Sequence, residues 1–283
     1  MTSETPAKLP VWKTALECYR LTFRHLADLL RFAWPWLLLL IVVSGALYWT
    51  LYPAEVAAMA ETGAGSNALW ISSVLISTAI GAAIAVPWHR LLLLGEMQDL
   101  AGSLSFDTRR RSYFLNAIAV LALPVAPIVL AAFLIPVDSS AEGSLLDVFR
   151  AAGFGIATIA AVMVINRLSL ILPARALDQL NAGWPQAWHI TRSNTWRLFW
   201  LSLLVLFPVF AAIIFAFSLY PSEFSMLDSS AAPSRAAFTG ANVVMDFVLM
   251  LTGMLYVTSL SLACRHFTGR PDPESTNATR AAP

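Results

Sequence analysis

Charged residues are scarce in this chain. Asp, Glu, Lys and Arg make up 12% of its 283 residues, which is about half the usual share in a soluble domain. Hydrophobic residues make up 58%, and the mean hydropathy is +0.68. This composition excludes a disordered chain, a coiled coil and a basic nucleic-acid-binding protein. It indicates a protein embedded in a lipid bilayer.

Cysteine and histidine are also scarce, with two and four residues. The sequence has no His-x-x-x-His pair and no close cysteine pair, the spacings typical of metal sites. The Gly-x-Ser-x-Gly, P-loop and dinucleotide-binding motifs are absent too. We therefore expect no metal, no cofactor and no enzymatic activity. We predict that Cys18 and Cys264 are reduced packing residues.

Long apolar runs are what the chain has in abundance. A helix needs roughly 20 apolar residues to cross the hydrocarbon core of a bilayer. We therefore predict an all-α integral membrane bundle of six transmembrane helices, forming one domain over residues 11–267 with disordered tails at 1–10 and 268–283. The connecting segments are too short to bury a core of their own. The predicted spans lie near residues 33–51, 69–88, 113–137, 151–172, 197–220 and 241–264.

The basic residues are divided unequally between the two sides of these spans. Sixteen of the 18 Lys and Arg residues fall on the side of both termini, and only Arg150 and Arg235 fall on the other. Cytoplasmic loops collect Lys and Arg. The asymmetry therefore predicts that both termini are cytoplasmic.

Similarities between the spans predict an internal repeat. Pro124 and Pro208 fall at equal depths in the third and fifth spans, and Arg90 and Arg167 each precede a similar apolar run in the second and fourth. We interpret the domain as three helical hairpins with a period of roughly 80 residues, related by an axis along the membrane normal.

An amphipathic helix is predicted over residues 11–31, before the first span. Its large apolar residues recur at steps of three and four, which places them on one stripe. The stripe either lies in the headgroup plane of the membrane or packs on the protein's own spans. A second such element, over 177–195, has Gly183 as a helix C-cap and Pro185 in the next first turn. The stripe consists of Trp12, Leu16, Tyr19, Phe23, Leu26 and Leu30.

Ionisable residues inside spans are the default functional candidates of a membrane protein. Arg90, Arg167, Asp246 and the nearby His89 are candidates for a polar path or a lipid-headgroup site. The alternative for the arginines is that they extend to the cytoplasmic headgroups. Asp246 would instead extend outward or bond a neighbour at a helix end. Candidate contacts to anionic lipid headgroups are Arg20, Arg24, Arg109, Arg110, Arg111 and Arg192.

One stretch carries a resemblance to known families. Arg175-Ala176-Leu177, Gly183-Trp184-Pro185 and the run from Ala187 to Leu198 are similar to poorly characterised bacterial six-span membrane families. These include the membrane domain found with glycerophosphodiester phosphodiesterases. The phosphodiesterase domain itself is absent here, so the resemblance implies a helical membrane module and transfers no catalytic residue.

These observations lead to one hypothesis and one rival. The hypothesis is a non-enzymatic, multi-pass protein of the bacterial inner membrane, with a role in membrane organisation or lipid homeostasis. The rival is a transporter or lipid-moving protein that uses a polar path between the hairpins. In the rival case Arg90, Arg167 and Asp246 should line a common cavity. The sequence names no substrate, protein partner or oligomeric state.

Overall fold

A computed structural model describes residues 8–62, 67–99, 102, 104–134, 145–179, 183–219 and 234–270. The predicted tails over 1–7 and 271–283 lie outside the described residues. So do the predicted ends of the third span, at 135–137, and of the fifth, at 220.

Regular structure in the described residues is α-helical, so the all-α prediction is confirmed. Six helical stretches of the described chain are long and apolar enough to cross a bilayer, and the chain is a multi-pass membrane protein. The stretches are Leu26–Ala54, Ile71–Leu94, Thr108–Ile128, Ala152–Ala176, Thr195–Ala212 and Arg235–Thr268. The helices are α1 (Val11–Arg24), α2 (Leu26–Thr62), α3 (Asn67–Leu94), α4 (Thr108–Leu134), α5 (Leu145–Leu168), α6 (Ile171–Ala176), α7 (Trp184–Ile190), α8 (Thr195–Leu219) and α9 (Arg235–Thr268).

Several helices extend beyond the predicted spans. Helix α3, the second spanning helix, continues through Pro87 to Leu94. Helix α9, the last one, begins at Arg235 and ends at Thr268. Apolar character ends where charges begin, whereas backbone hydrogen bonding continues beyond the apolar run. At 1.5 Å per residue α9 is about 50 Å long, well beyond a hydrocarbon core of about 30 Å. Its left-handed C-cap at Gly269 (φ 64°) ends it two residues into the predicted C-terminal tail.

Helix α9 lies at the centre of the bundle and is the most buried of the spans. It packs against α1, α2, α3, α6 and α8. Consecutive spanning helices also pack together, as α2 with α3, α4 with α5, and α8 with α9. These pairs are the ones expected of hairpins, while the repeat among them stays a prediction.

The N-terminal segment differs from its prediction in two respects. The amphipathic helix 11–31 is divided at His25, where α1 ends and the first spanning helix begins. Residues 8–10 do not fit a disordered tail, because Leu9 is fully buried. The Leu9 amide donates to Asn194 Oδ1 over 2.9 Å, and Arg197 Nη1 donates to the Leu9 carbonyl over 2.7 Å. These bonds fasten the chain before α1 to the start of α8.

Among its described residues, 177–179 and 183–195, the second predicted interfacial element contains the short helix α7 and the first residue of α8. Gly183 is the N-cap of α7, in an extended conformation, and was wrongly assigned as a C-cap. Pro185 does lie in the first turn, as predicted. A proline fits there because the first turn leaves backbone amides without partners inside the helix.

Candidate functional site: polar groups inside the bundle

Arg90 and Arg109 share the carboxylate of Asp178 at one end of the bundle. Arg90 Nη1 lies 3.5 Å from Asp178 Oδ2, and Arg109 Nε donates to Asp178 Oδ1 over 2.8 Å. Arg90 also pairs with Glu96 and donates to the Ala176 carbonyl over 3.2 Å. These contacts tie α3 and α4 to the turn after α6. Arg90 therefore links helices rather than extending alone to headgroups.

The three consecutive arginines before the third span have different surroundings. Arg110 is fully buried, although we predicted it as a contact to anionic lipid. Its guanidinium donates to the Gly102 carbonyl over 2.9 Å, to Gln98 Oε1 over 3.1 Å, and to the Ser105 carbonyl. It thereby holds the segment between α3 and α4, and its burial removes it from the lipid-contact set.

Arg167 joins the end of α5 to α7. Its Nε donates to Thr191 Oγ1 over 3.1 Å, and its Nη2 donates to the Trp188 carbonyl over 2.6 Å. The guanidinium carbon lies 3.4 Å from the centroid of the Trp188 ring, in cation–π contact. The planar cation is thus held by two hydrogen bonds and a stacked ring.

His89 is fully buried between α9 and α4. Its Nδ1 lies 2.7 Å from Ser261 Oγ, and its Nε2 lies 3.2 Å from the Tyr113 hydroxyl. Both ring nitrogens thus have a hydroxyl partner inside the protein. Full burial separates His89 from lipid headgroups and makes it a link between three helices.

Asp246 lies on the side of the bundle away from these groups. The Tyr48 hydroxyl donates to its Oδ2 over 3.1 Å. The same hydroxyl lies 3.0 Å from Ser73 Oγ. A tyrosine has a single hydroxyl proton. When that proton binds Asp246, Ser73 must be the donor to Tyr48, and the chain of bonds ends on the carboxyl group.

A cavity of about 360 Å³, open to the surface on one side, lies between α3, α4, α9 and the region where α5 passes into α6. Asp246 lines it, as do the His89 partner Tyr113 and the hydroxyls of Ser169 and Tyr256. Its wall is otherwise mainly apolar, with Met and Leu side chains and two glycines. Ligand pockets in proteins begin at roughly this volume.

The structure brings only part of the predicted set to this cavity. Arg90, Arg167 and His89 are not among its lining residues. Tyr256 donates to Asn166 Oδ1 over 2.9 Å. Because Asn166 directly precedes Arg167, Arg167 lies at about the same depth in the bundle as Tyr256. Tyr256 and Asp246 are separated by about 15 Å along α9. The ionisable candidates thus lie at two levels of the bundle.

Sequence reasoning missed the neutral polar residues of the site. The hydroxyls of Tyr48, Tyr113 and Tyr256 each bind a group on another helix. Asn166 Nδ2 also bridges to Ser202 Oγ over 2.9 Å. A signal was present, because such groups in a span need partners in place of water. Ionisable side chains alone therefore do not reveal the whole site.

The apolar stripe of α1 faces away from the bundle. Trp12, Leu16 and Phe23 are each 68–70% exposed. The face of small residues is the buried one: Cys18 Sγ lies 3.1 Å from the Leu255 carbonyl. Tyr19 is the exception in the stripe, since its hydroxyl donates to the Val205 carbonyl over 2.6 Å. Of the two interpretations of the stripe, packing on the spans holds only for Tyr19.

Burial also changes the chemistry of the inner face of α1. It raises the pKa of the Cys18 thiol to about 12, and it raises the pKa of Tyr19 as well.

The basic residues Arg20 and Arg24 lie on exposed positions of the same helix, and Arg192 and Arg111 are exposed elsewhere. These four remain candidates for contact with anionic headgroups.

Among the residues that the structure describes, no group of three His, Cys, Asp or Glu side chains is arranged to hold a metal ion. No family model, no curated protein and no solved structure matches this chain. The resemblance to bacterial six-span membrane families therefore stays a prediction, and the fold identifies the chain as a multi-pass, all-α membrane protein.

Proposed function

We propose that this chain is a non-enzymatic protein of the bacterial inner membrane that serves membrane organisation or lipid homeostasis. The observation that carries the proposal is the cavity between α3, α4 and α9, which lies among membrane-spanning segments and has mainly apolar walls. A space of this kind suits part of a lipid better than a water-soluble substrate.

The proposal includes no chemical step, and three of the four ionisable candidates already have partners that join helices. Arg90 binds Asp178, Arg167 binds the α7 backbone, and His89 lies between two hydroxyls. Each of these contacts joins two or more elements of the bundle. We interpret these contacts as structural, because they hold the helices of the bundle together.

Orientation is part of the proposal. Both termini are assigned to the cytoplasm because of the charge asymmetry. Two contacts locate basic residues of the two groups at the two ends of the bundle. Arg197 binds Leu9 at the end of the bundle that holds the N-terminal segment, whereas Arg235 binds the Trp49 carbonyl at the start of α9. Alkaline phosphatase fused after residue 270 should be inactive, and green fluorescent protein fused there should fluoresce.

The geometry gives the transporter alternative less support. That alternative requires Arg90, Arg167 and Asp246 to line a common cavity. Only Asp246 lines the cavity in the bundle. We therefore place lipid association ahead of transport.

Deletion of the gene in its host tests the proposal. We expect a changed membrane lipid composition by mass spectrometry and weaker growth in detergent with EDTA. Wild type and Gly155→Leu should restore both, while Gly253→Leu, which fills the cavity, should not. A Cβ atom at either glycine would meet nothing within 4 Å, so the two variants are matched. Unchanged lipids and an intact envelope after deletion would refute the proposal.

A further inference from the structure

Asp246 places a carboxyl group inside the membrane-spanning part of the bundle. It lies about 8 Å from the midpoint of α9, and the residue is 8% exposed. A charged group at such a depth is unfavourable unless a partner compensates it. The salt bridges among the described residues join other groups, and none of them includes Asp246. Within that part of the chain, its side-chain partner is the neutral hydroxyl of Tyr48.

Two further hydroxyls in the cavity wall donate their protons to backbone carbonyls of their own helix. Ser77 Oγ donates its proton to the Ser73 carbonyl over 2.7 Å, and Thr78 Oγ1 donates to the Val74 carbonyl over 2.6 Å. Both residues line the cavity. Each hydroxyl has one proton and two lone pairs. With the protons directed to the backbone, these two oxygens keep lone pairs that can accept a hydrogen bond, as the oxygens of the Asp246 carboxyl group can.

The rest of the cavity is elongated and mainly apolar, with the hydroxyl-bearing residues Tyr113, Ser169 and Tyr256 also in its lining. It follows α9 from Asp246 to Val257, which is about 16 Å of helix. Gly253 lies in this wall, and a Cβ atom there would have open space around it. A hydrocarbon chain fits such a wall because it requires no hydrogen bonds.

We propose that this cavity binds an amphipathic ammonium compound, with the ammonium group on Asp246 and the hydrocarbon chain along Gly253. This inference rests on the proposed function and names the ligand class. The ammonium group has hydrogen-bond donors and a positive charge, so it complements the Asp246 carboxylate and the hydroxyl oxygens in the same cavity wall. A phosphate or sulfate headgroup would meet repulsion there, and an alcohol would leave the charge uncompensated.

Two sources provide this chemistry. The ammonium group belongs either to an aminophospholipid such as phosphatidylethanolamine or to a free amphipathic amine. Either molecule would place one cation and one or more hydrocarbon chains in the same cavity. Only the aminophospholipid carries a phosphate, which must stay away from the Asp246 carboxylate.

The test uses the full chain, purified in a neutral maltoside detergent, with dodecylamine as probe at pH 7. A primary amine is cationic at that pH. We expect dodecylamine to raise the melting temperature of the wild type in a saturable manner, and dodecanol of equal length to have no such effect. An equal shift with dodecanol, or no shift with dodecylamine, would overturn the proposal on the wild type alone.

Three variants locate the site. Asp246→Asn removes the charge at nearly constant volume, and Gly253→Leu fills the apolar wall. Each should weaken dodecylamine binding at least tenfold. Gly155→Leu, an exposed position on α5, is the matched control and should bind as the wild type does. Wild-type affinity in both Asp246→Asn and Gly253→Leu would place the binding elsewhere and reject the proposal.

Native mass spectrometry distinguishes the two sources. The wild type is reconstituted in nanodiscs of phosphatidylethanolamine and phosphatidylglycerol with identical chains, then released. Selective retention of phosphatidylethanolamine, lost in Asp246→Asn, identifies the lipid. Dodecylamine binding without such retention identifies a free amine. The deletion phenotype does not depend on these measurements, so failure of this inference is distinguishable from failure of the proposed function.

Discussion

The thiol of Cys18 lies 3.1 Å from the carbonyl oxygen of Leu255, a residue 237 positions later in the chain. This contact fixes α1 on the central helix α9. A second contact on the same face joins Thr22 Oγ1 and Thr258 Oγ1 over 3.0 Å, and Trp88 Nε1 donates to the same Thr258 hydroxyl over 2.8 Å. Helix α1 is thus held by small polar groups together with Leu21 and Tyr19, while Trp12, Leu16 and Phe23 stay exposed.

Burial of Cys18 predicts a thiol that does not react in the folded protein. Its pKa is raised to about 12 by burial, and the thiolate is the reactive form. In a Cys264→Ala background, iodoacetamide should label Cys18 only after denaturation in SDS. Between pH 7 and 8 the rate should stay near zero, whereas an exposed thiol would react almost tenfold faster for that unit of pH.

The control for this experiment is Leu16→Cys in a background without Cys18 and Cys264, because Leu16 is 69% exposed. It should label rapidly without denaturant.

The raised pKa of Cys18 also has a consequence for stability. The neutral thiol contributes fully below about pH 9, and that contribution is lost as pH rises toward 12. Rapid labelling of native Cys18 would mean that α1 is not docked as described.

The second prediction concerns His89. His89→Ala leaves Ser261 and Tyr113 without their partner and opens a cavity in a fully buried place. We expect the free energy of unfolding in SDS titration to fall by about 2–4 kcal/mol. His189→Ala is the control, because that side chain is exposed and its removal should change stability by less than about 0.5 kcal/mol. Equal effects of the two substitutions would argue against a structural role for His89.

The third prediction concerns the shape of the Arg167 cation. Arg167→Lys keeps the charge but loses the planar group that stacks on Trp188 and binds Thr191. The loss should be about 1–2 kcal/mol of unfolding free energy, since a lysine cannot repeat that geometry. Arg192→Lys is the matched control at an exposed position and should be neutral. A neutral Arg167→Lys would show that charge alone is needed.

Sequence patterns predicted the spans well because the bilayer imposes one simple requirement. A run of about 20 apolar residues is visible in any chain that must cross a hydrocarbon core. The facing of each helix was harder to predict. In water the large apolar face of a helix is buried, whereas next to lipid it can stay outside while small residues form the helix contacts. Cys18 and Leu16 on α1 follow this second rule.

Partners distant in sequence were not predictable. Nothing near Asp246 in the sequence points to Tyr48, which is 198 positions away. The arginine triplet shows the same limit at short range. Successive helical residues point about 100° apart, so Arg109, Arg110 and Arg111 meet three environments, and only packing decides which of them is buried.

The fourth prediction follows from the orientation of α1. A spin label at Leu16→Cys, in a cysteine-free background in liposomes, should be more accessible to oxygen than to a water-soluble nickel complex. Oxygen partitions into the apolar membrane, and Leu16 points away from the bundle. Lys13→Cys, an exposed position on the polar arc of the helix, should show the opposite preference. Equal accessibilities at both positions would contradict an interfacial α1.

The last prediction concerns the bond between Tyr48 and Asp246. A double-mutant cycle of Tyr48→Phe and Asp246→Leu, which has no acceptor at that position, should give a coupling energy of about 0.5–1.7 kcal/mol, the range of hydrogen bonds between membrane helices. The bond joins α2 to α9, so either single variant also loosens that contact. Tyr52→Phe is the control, because Tyr52 packs on Phe238 near the same end of the bundle. A coupling energy near zero would show that the Tyr48 hydroxyl does not bind the Asp246 carboxyl group. The carboxyl group would then lack the contact that fixes its position in the cavity wall.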